Sequence, residues 1–153
     1  MNTDIAKNKK ALHDFHILSK IEAGIELRGT EVKSIREGKV NLRDSYARVD
    51  KGQIFLYGLD IQPWQTAGEW FQHESKRPRR LLLHKAEILK LAEATQVKGE
   101  TVVALRLYFK NRRVKVELGL AKGKSHRDQR HDLKKQVELR EAQREMARFN
   151  QGR

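Results

Sequence analysis

The chain is predicted to be mainly β, with short antiparallel strands curled into a small barrel and a polar, basic tail behind it. Three observations in its 153 residues predict this. Val103, Leu105, Leu107 and Phe109, then Val114, Val116, Leu118 and Leu120, alternate with other residues on either side of "KNRR", as the strands of a β-hairpin do. A second alternation places Phe15, Ile17, Ile21, Ala23, Ile25 and Leu27 at odd positions with Glu22, Glu26 and Arg28 between them. After Ala121 the composition changes: residues 122–153 hold ten Lys or Arg against five Asp or Glu, and few large apolar side chains.

In chain order, residues 1–12 are polar and basic and are expected to form a flexible arm. The strand from Phe15 carries Gly24, which suggests a bulge or bend. Thr30 then offers an N-cap, Glu31 suits the first turn, Val32 and Ile35 share a face, and Gly38 can close a helix of about two turns. Its other face presents Lys33, Arg36 and, just past the end, Lys39. "SYARV" and "QIFLYGLDI" read as strands joined by the turn Asp50-Lys51-Gly52. Residues 63–80, with Pro63 and Pro78 around Trp64, Trp70 and Phe71, read as a long loop of the kind that usually serves function. "HKAEILKLAEATQV" has Ile88, Leu91 and Ala92 on one face and reads as a helix.

Five or so antiparallel strands and two helices suit a partly open barrel of OB type, which binds oligonucleotides readily but fixes no function by itself. The expected organisation is an arm over residues 1–12, a barrel over 13–121 and a tail over 122–153. In the tail, Leu133 and Val137 lie one turn apart, and Glu141 with Arg144 and Glu145 with Arg148 can pair. So polar a helix is marginal alone, and the tail is expected to be disordered until a partner folds it.

Lys and Arg number 33 against 20 Asp and Glu, a net charge of +13 that predicts attraction to polyanions, nucleic acid first. No run approaches the roughly 18 apolar residues of a spanning helix, and "MNTDIAKNKKALHD" lacks the apolar core of a signal peptide. A cytoplasmic protein without a membrane partner is expected. No cysteine is present, which excludes disulfides and thiolate zinc, and the histidines at 13, 16, 73, 84, 126 and 131 form no HExxH, so neither metal nor cofactor is expected. No GxSxG, Walker or GxGxxG motif and no matched nucleophile and base occur, which argues against an enzyme. Basic groups cluster instead in "KNKK", "EVKSIREGK", "SKRPRR" and the tail, as RNA recognition requires.

The words "NKKALHDF", "EAGIELRGTEVKSIREGKVNLRDSY", "RPRRLLLHKAEI", "TVVALRLYFKNRRVKVELGLAKGK" and "DQR", in that order, closely resemble the SsrA-binding protein family, also called small protein B, over roughly residues 8–131. The resemblance implies an OB-fold barrel that binds the transfer-RNA-like domain of transfer-messenger RNA in place of the missing anticodon arm. It also implies delivery to stalled ribosomes for trans-translation, with the tail becoming helical in the small subunit's decoding centre and empty messenger channel. Elongation factor Tu would join through the alanylated RNA. A monomer is expected, since no long apolar stripe is left exposed.

Glu22 matches a family acid associated with RNA binding, sensible because a carboxylate accepts from a base amino group or a 2′-hydroxyl. Leu82 and His84 match family positions at the RNA surface, although Leu82 suits a core equally and His84 a helix cap. Asn8, Lys9 and Lys10 match the family's "NK" segment, and Lys33, Arg36 and Lys39 are expected to meet phosphates. Arg77, Arg79, Arg80 and Lys85, in and beside "RPRRLLLHK", are expected on the same surface. For the ribosome, the expected tail residues are Gly123 and Lys124 of the family's "GK", Arg127, Asp128, Gln129 and Arg130 at its "DKR" word, and Lys134 and Lys135. Ser125, Arg127 and Gln129 depart from the usual Lys, aromatic or His, and Lys, and Ser75 stands where the family often has Pro. Arg127 can still stack through its guanidinium. The alternative reading is a nonspecific basic RNA-binding module on the same barrel.

Overall fold

The structure is a computed structural model that describes residues 3–63, 74–97, 99–124 and 126–151. Two compact units divide it, residues 1–123 and residues 124–153. In the first unit, β1 (Thr3–Lys7) and α1 (Lys9–Asp14) lead into the long strand β2 (Phe15–Ile25). Then come α2 (Gly29–Arg36), β3 (Val40–Asn41), β4 (Tyr46–Asp50), β5 (Gln53–Tyr57) and β6 (Asp60–Ile61). The unit ends with β7 (Arg79–Leu82), α3 (Lys85–Ala94) and the paired strands β8 (Glu100–Lys110) and β9 (Arg113–Gly123).

Seven strands pair in the order β1-β8-β4-β5-β7-β2-β9, and β9 pairs back to β8, so the sheet closes into a barrel. All the pairings are antiparallel. The first half of β8 meets β4, through Val102 and Val103, and its second half meets β1, with a register shift between Ala104 and Arg106. Inward residues of every wall, among them Ala23, Ala47, Ile54, Leu56, Leu81, Leu107 and Leu118, form one core, with Ile88 and Leu91 of α3 joining it. Burying the leucines and isoleucines among them stabilises the fold by about 1.5–3 kcal/mol each.

The mainly β barrel expected from the alternation is present, and the hairpin bends where the sequence places it. Lys110 faces Arg113, so Asn111 and Arg112 make a two-residue loop with φ of 50° and 66°. The turn after β4 is tighter than the three residues expected: Asp50 faces Gln53, and Lys51 and Gly52 supply the two positive φ values.

Four local expectations are corrected. Residues 3–12, expected to be a flexible arm, form an edge strand paired to β8 and the start of a helix, because Ile5 and Ala6 pack on the core. The α2 helix begins at Gly29, not after Thr30, and the Glu31 carboxylate accepts from the Arg28 N–H at 2.8 Å. Gly24 is not a bulge; the register shift in β2 lies between Ile17 and Ser19, and Gly24 instead lets Leu82 approach to 3.2 Å of where a Cβ would stand. The loop expected over 63–80 ends early, since Arg79 and Arg80 open β7 between β5 and β2; residues 64–73 of it, with Trp64, Trp70 and Phe71, lie outside the described residues.

The second unit is one helix, α4 (His126–Gln151), where the sequence suggests a segment disordered in isolation. Its backbone follows from composition: Ala, Leu, Glu, Gln, Lys and Arg dominate it and no Gly or Pro interrupts it. No described helix is long and apolar enough to cross a membrane.

Candidate nucleic-acid interface

Four strands and a helix start converge on one open groove of about 550 Å³, β5 contributing Gln53 at its start. β2 contributes Glu22 and Gly24, β7 contributes Arg80 and Leu82, the turn into α3 contributes His84 and Lys85, and β9 contributes Lys115. These residues come together by register: Gly24 stands opposite Leu82 on one side and Lys115 on the other. Leu82 is 50% exposed although its neighbour Leu81 is in the core, so the alternation of β7 turns a large apolar side chain outward into the groove. An exposed leucine among cations offers van der Waals contact to a sugar or base while the cations hold phosphates.

Glu22 is the acceptor of the groove. A hydrogen bond from the Tyr108 hydroxyl holds its carboxyl below the ordinary 4.5, with Lys110 and Lys115 acting in the same direction and burial opposing them. Lys110 Nζ stands 3.3 Å from one carboxylate oxygen and 3.4 Å from the other. Burial and the Glu22 carboxylate push the Tyr108 phenol up, so it remains a donor at neutral pH. Glu22 is therefore an ionised acceptor with part of its surface free, able to accept a hydrogen bond from an amino group or 2′-hydroxyl of RNA.

His84 precedes α3, where its backbone N–H donates to Glu87 at 3.2 Å, so the imidazole is left exposed toward the groove. Of the expected RNA contacts, the structure brings Glu22, Arg80, Leu82, His84 and Lys85 together along this one groove. Lys115, not singled out in the sequence, also lines it, as does Gly24, which the sequence marks only as a bulge or bend. Lys115 hides in a strand whose alternation only marks it as outward, and its place opposite Gly24 depends on a pairing between residues almost a hundred positions apart.

Other expected contacts lie elsewhere. Lys33 and Arg36 are exposed on α2 and Lys39 pairs with Glu37 at 3.2 Å; none of them lines the groove. Lys9 is exposed on α1, and Lys10 donates to Asp44 at 2.5 Å.

Two expected RNA contacts are corrected, because both side chains are interior. Asn8 is 4% exposed. Its Oδ1 accepts from Ala11 N–H to cap α1, and its Nδ2 donates to the carbonyls of Leu42 at 3.1 Å and Ala104 at 2.9 Å. Arg79 is 0% exposed and sits at a core position of β7. Its Nε donates to Glu31 Oε2 at 2.5 Å, and its Nη1 to the carbonyls of Leu59 at 2.7 Å and Arg77 at 3.1 Å. Arg77, partly buried beside it, donates to Glu31 Oε1 at 2.5 Å. Burial pushes the Glu31 carboxyl up, but hydrogen bonds from Arg77, the Arg28 N–H and Arg79 outweigh it and hold the group below 4.5. This network ties α2 to β7 rather than to a ligand.

Of the tail residues, Gly123 is exposed at the end of β9, and Lys134 and Lys135 are exposed on α4. The backbones of Arg127, Asp128, Gln129 and Arg130 belong to α4 while their side chains lie outside the described residues, as does Ser125 entirely.

Comparison with known proteins places the chain in a family. The family model described as SmpB protein matches residues 5–148. The SsrA-binding protein of Carboxydothermus hydrogenoformans is 55% identical over 141 residues, 92% of this chain and 94% of that protein. The SsrA-binding proteins of Acetivibrio thermocellus and Corynebacterium glutamicum are 54% and 50% identical over 93% and 99% of this chain, each across 92% of its own length. A chain of a solved structure described as "tmRNA-SmpB: a journey to the center of the bacterial ribosome" superposes with a TM-score of 0.67 at 42% identity, over 84% of this chain and 93% of that one. Matched from its first strand into its last helix, and about half identical to relatives along nearly its whole length, the chain belongs to the SmpB protein family, that of the SsrA-binding proteins.

Proposed function

We propose that the chain binds the transfer-RNA-like domain of transfer-messenger RNA through the Glu22 groove and delivers that RNA to stalled ribosomes for trans-translation. The family is one of RNA-binding proteins, not of enzymes. The observation that carries the reading is the convergence of an ionised acceptor, Glu22, an outward leucine, Leu82, and the cations Arg80, Lys85 and Lys115 in one open groove. Cations alone would draw any polyanion; an acceptor among them favours RNA that presents amino or hydroxyl donors at that point.

The tail, from Lys124 onward, is the ribosomal part of this proposal. Lys124, Arg127, Arg130, Lys134 and Lys135 supply positive charge for the small subunit's decoding centre and empty messenger channel, and Arg127 supplies a planar cation that can stack on a base. A helix this polar gains little from its own packing, so contact with ribosomal RNA is what would hold it. The protein then acts in the cytoplasm as a monomer, meeting elongation factor Tu through the alanylated RNA.

The test is binding of the full chain to the transfer-RNA-like domain beside an elongator transfer RNA across a salt series. A preference that persists at high salt and is lost in Glu22→Ala supports the proposal. Equal affinities falling together with salt identify phosphate attraction alone and refute it.

A further inference from the structure

The outward face of β4, β5 and β7 carries a row of rings and guanidinium groups of which the groove uses only Arg80. Tyr46 stands opposite Tyr57, and the two rings stack with centroids 5.5 Å apart and planes 20° apart. One row along, Arg48 stands opposite Phe55, and Phe55 stands opposite Arg80. Their neighbours along each strand, Ala47, Ile54, Leu56 and Leu81, fill the core, so by alternation these five side chains look away from it. Tyr46 is 40% exposed and Arg48 and Arg80 are exposed.

Phe55, Arg28, Arg77 and Arg80 also line a shallow depression of about 420 Å³. Arg80 lines both this depression and the Glu22 groove, which makes the two surfaces continuous. Among the described residues neither Arg48 nor Arg80 has a carboxylate within ion-pair distance. The acids nearest in register are Asp50, one outward position beyond Arg48, and Glu26, whose N–H bonds the Arg80 carbonyl. Glu31 is already engaged by Arg77 and Arg79.

We infer that this face is a stacking platform for unpaired bases of an RNA single strand or loop, a second contact surface that continues from the groove past Arg80. Rings that interleave with arginines fit such a ligand on both counts: each ring offers a face to a base, and each guanidinium offers a charge to the phosphate beside it or a plane to the next base. Charge complementarity and continuity with the groove select RNA over a protein partner. The inference rests on the groove being an RNA site and adds what kind of RNA segment lies next to it.

The experiment uses the full chain and three fluorescently labelled probes, oligouridine and oligoadenosine of about ten nucleotides and a blunt RNA duplex, at a salt concentration that suppresses purely electrostatic binding. Phe55→Leu and Tyr57→Leu are compared with Tyr57→Phe, each first checked for a cooperative melt. The leucine variants are expected to lose affinity for the single strands by about fivefold to a hundredfold while duplex affinity stays within about twofold, and Tyr57→Phe is expected to bind as the parent does. Should Phe55→Leu melt early, Tyr57→Leu, nearer the strand end, carries the comparison alone. Parental single-strand affinity in the leucine variants overturns the platform, and so does an equal loss on duplex and single strand. Glu22→Ala separates the two readings: unchanged affinity for the transfer-RNA-like domain in that variant, with the ring dependence intact, sinks the groove and leaves the platform standing.

Discussion

Arg79→Met tests whether the arginine that opens β7 is architectural. The substitution keeps an unbranched chain of similar length in the core but removes the donor to Glu31 Oε2 and the two donations through Nη1 to the carbonyls of Leu59 and Arg77. Among the described residues, Glu31, 0% exposed, then keeps Arg77 and the Arg28 N–H as partners. Removing one member of a buried ion pair costs about 3–5 kcal/mol, chiefly because the other charge stays buried. For a unit of this size that lowers the melting temperature by on the order of 10–20 °C. Thermal unfolding followed by circular dichroism reads the loss, and RNA affinity measured well below the new midpoint is expected to be unchanged. Adding Glu31→Gln to the Arg79→Met chain is expected to restore part of the stability, since the uncompensated charge is then gone. A variant that melts like the parent yet binds RNA poorly would refute the reasoning and return Arg79 to the interface.

Three further outcomes are expected. Asn8→Ala removes the amide donations to the carbonyls of Leu42 and Ala104 and uncaps α1, so denaturant titration is expected to show a loss of about 1–3 kcal/mol with RNA affinity retained; a fall in RNA affinity with stability intact would reverse that assignment. Because the folded Glu31 carboxyl lies below 4.5, the unfolded chain binds more protons in that window: the stabilisation is full above the ordinary value and is lost as pH falls through the folded one. Unfolding measured from pH 6 downward is therefore expected to be less acid-sensitive in Glu31→Gln, relative to its own neutral-pH stability, and parallel curves would contradict this. Truncation after Gly123 removes the second unit whole, so the melt of the first and its affinity for the transfer-RNA-like domain are expected to persist while tagging on stalled ribosomes is lost; tagging at the parental rate would end the proposed division of labour.

Much of the barrel is legible in the sequence because its long strands alternate without interruption. Val114, Val116 and Leu118 point inward at every second residue, and the structure buries them all. Strand β7 is hidden for the opposite reason: at its first inward position stands Arg79, a residue type that signals surface, and its neutralising partner Glu31 is 48 positions away on α2. The same masking misleads the site reading. In "RPRR" the three arginines look alike as an RNA-facing cluster, yet alternation sends Arg80 outward and Arg79 into the core. Asn8 misleads through its neighbours, since "NKK" reads as a basic arm while its amide bridges Leu42 and Ala104 where β8 changes partner. Glu22 and Leu82 are legible as individual residues through the family resemblance. Their meeting beside Lys115 is not, because it depends on three-way register between β7, β2 and β9.

The sheet order also governs when this chain can fold. Strands β1 and β2, made first, find their partners in β8 and β9, with Thr3 opposite Phe109 and Phe15 opposite Gly123. While synthesis proceeds, the strands available can form the β4–β5 hairpin, its β7 neighbour and the short β3–β6 pair, and β2, paired to β7 only through Gly24 and Ile25, waits with one edge and most of its length unpaired. Closing loops of about a hundred residues before any pairing rewards them makes such a topology slow. The barrel can close only once Gly123, the partner of Phe15, has been made. A protein proposed to rescue interrupted translation would thus be poorly served by interruption of its own: a chain stopped before β9 lacks a barrel wall and one side of the Glu22 groove, and exposes strand edges open to aggregation.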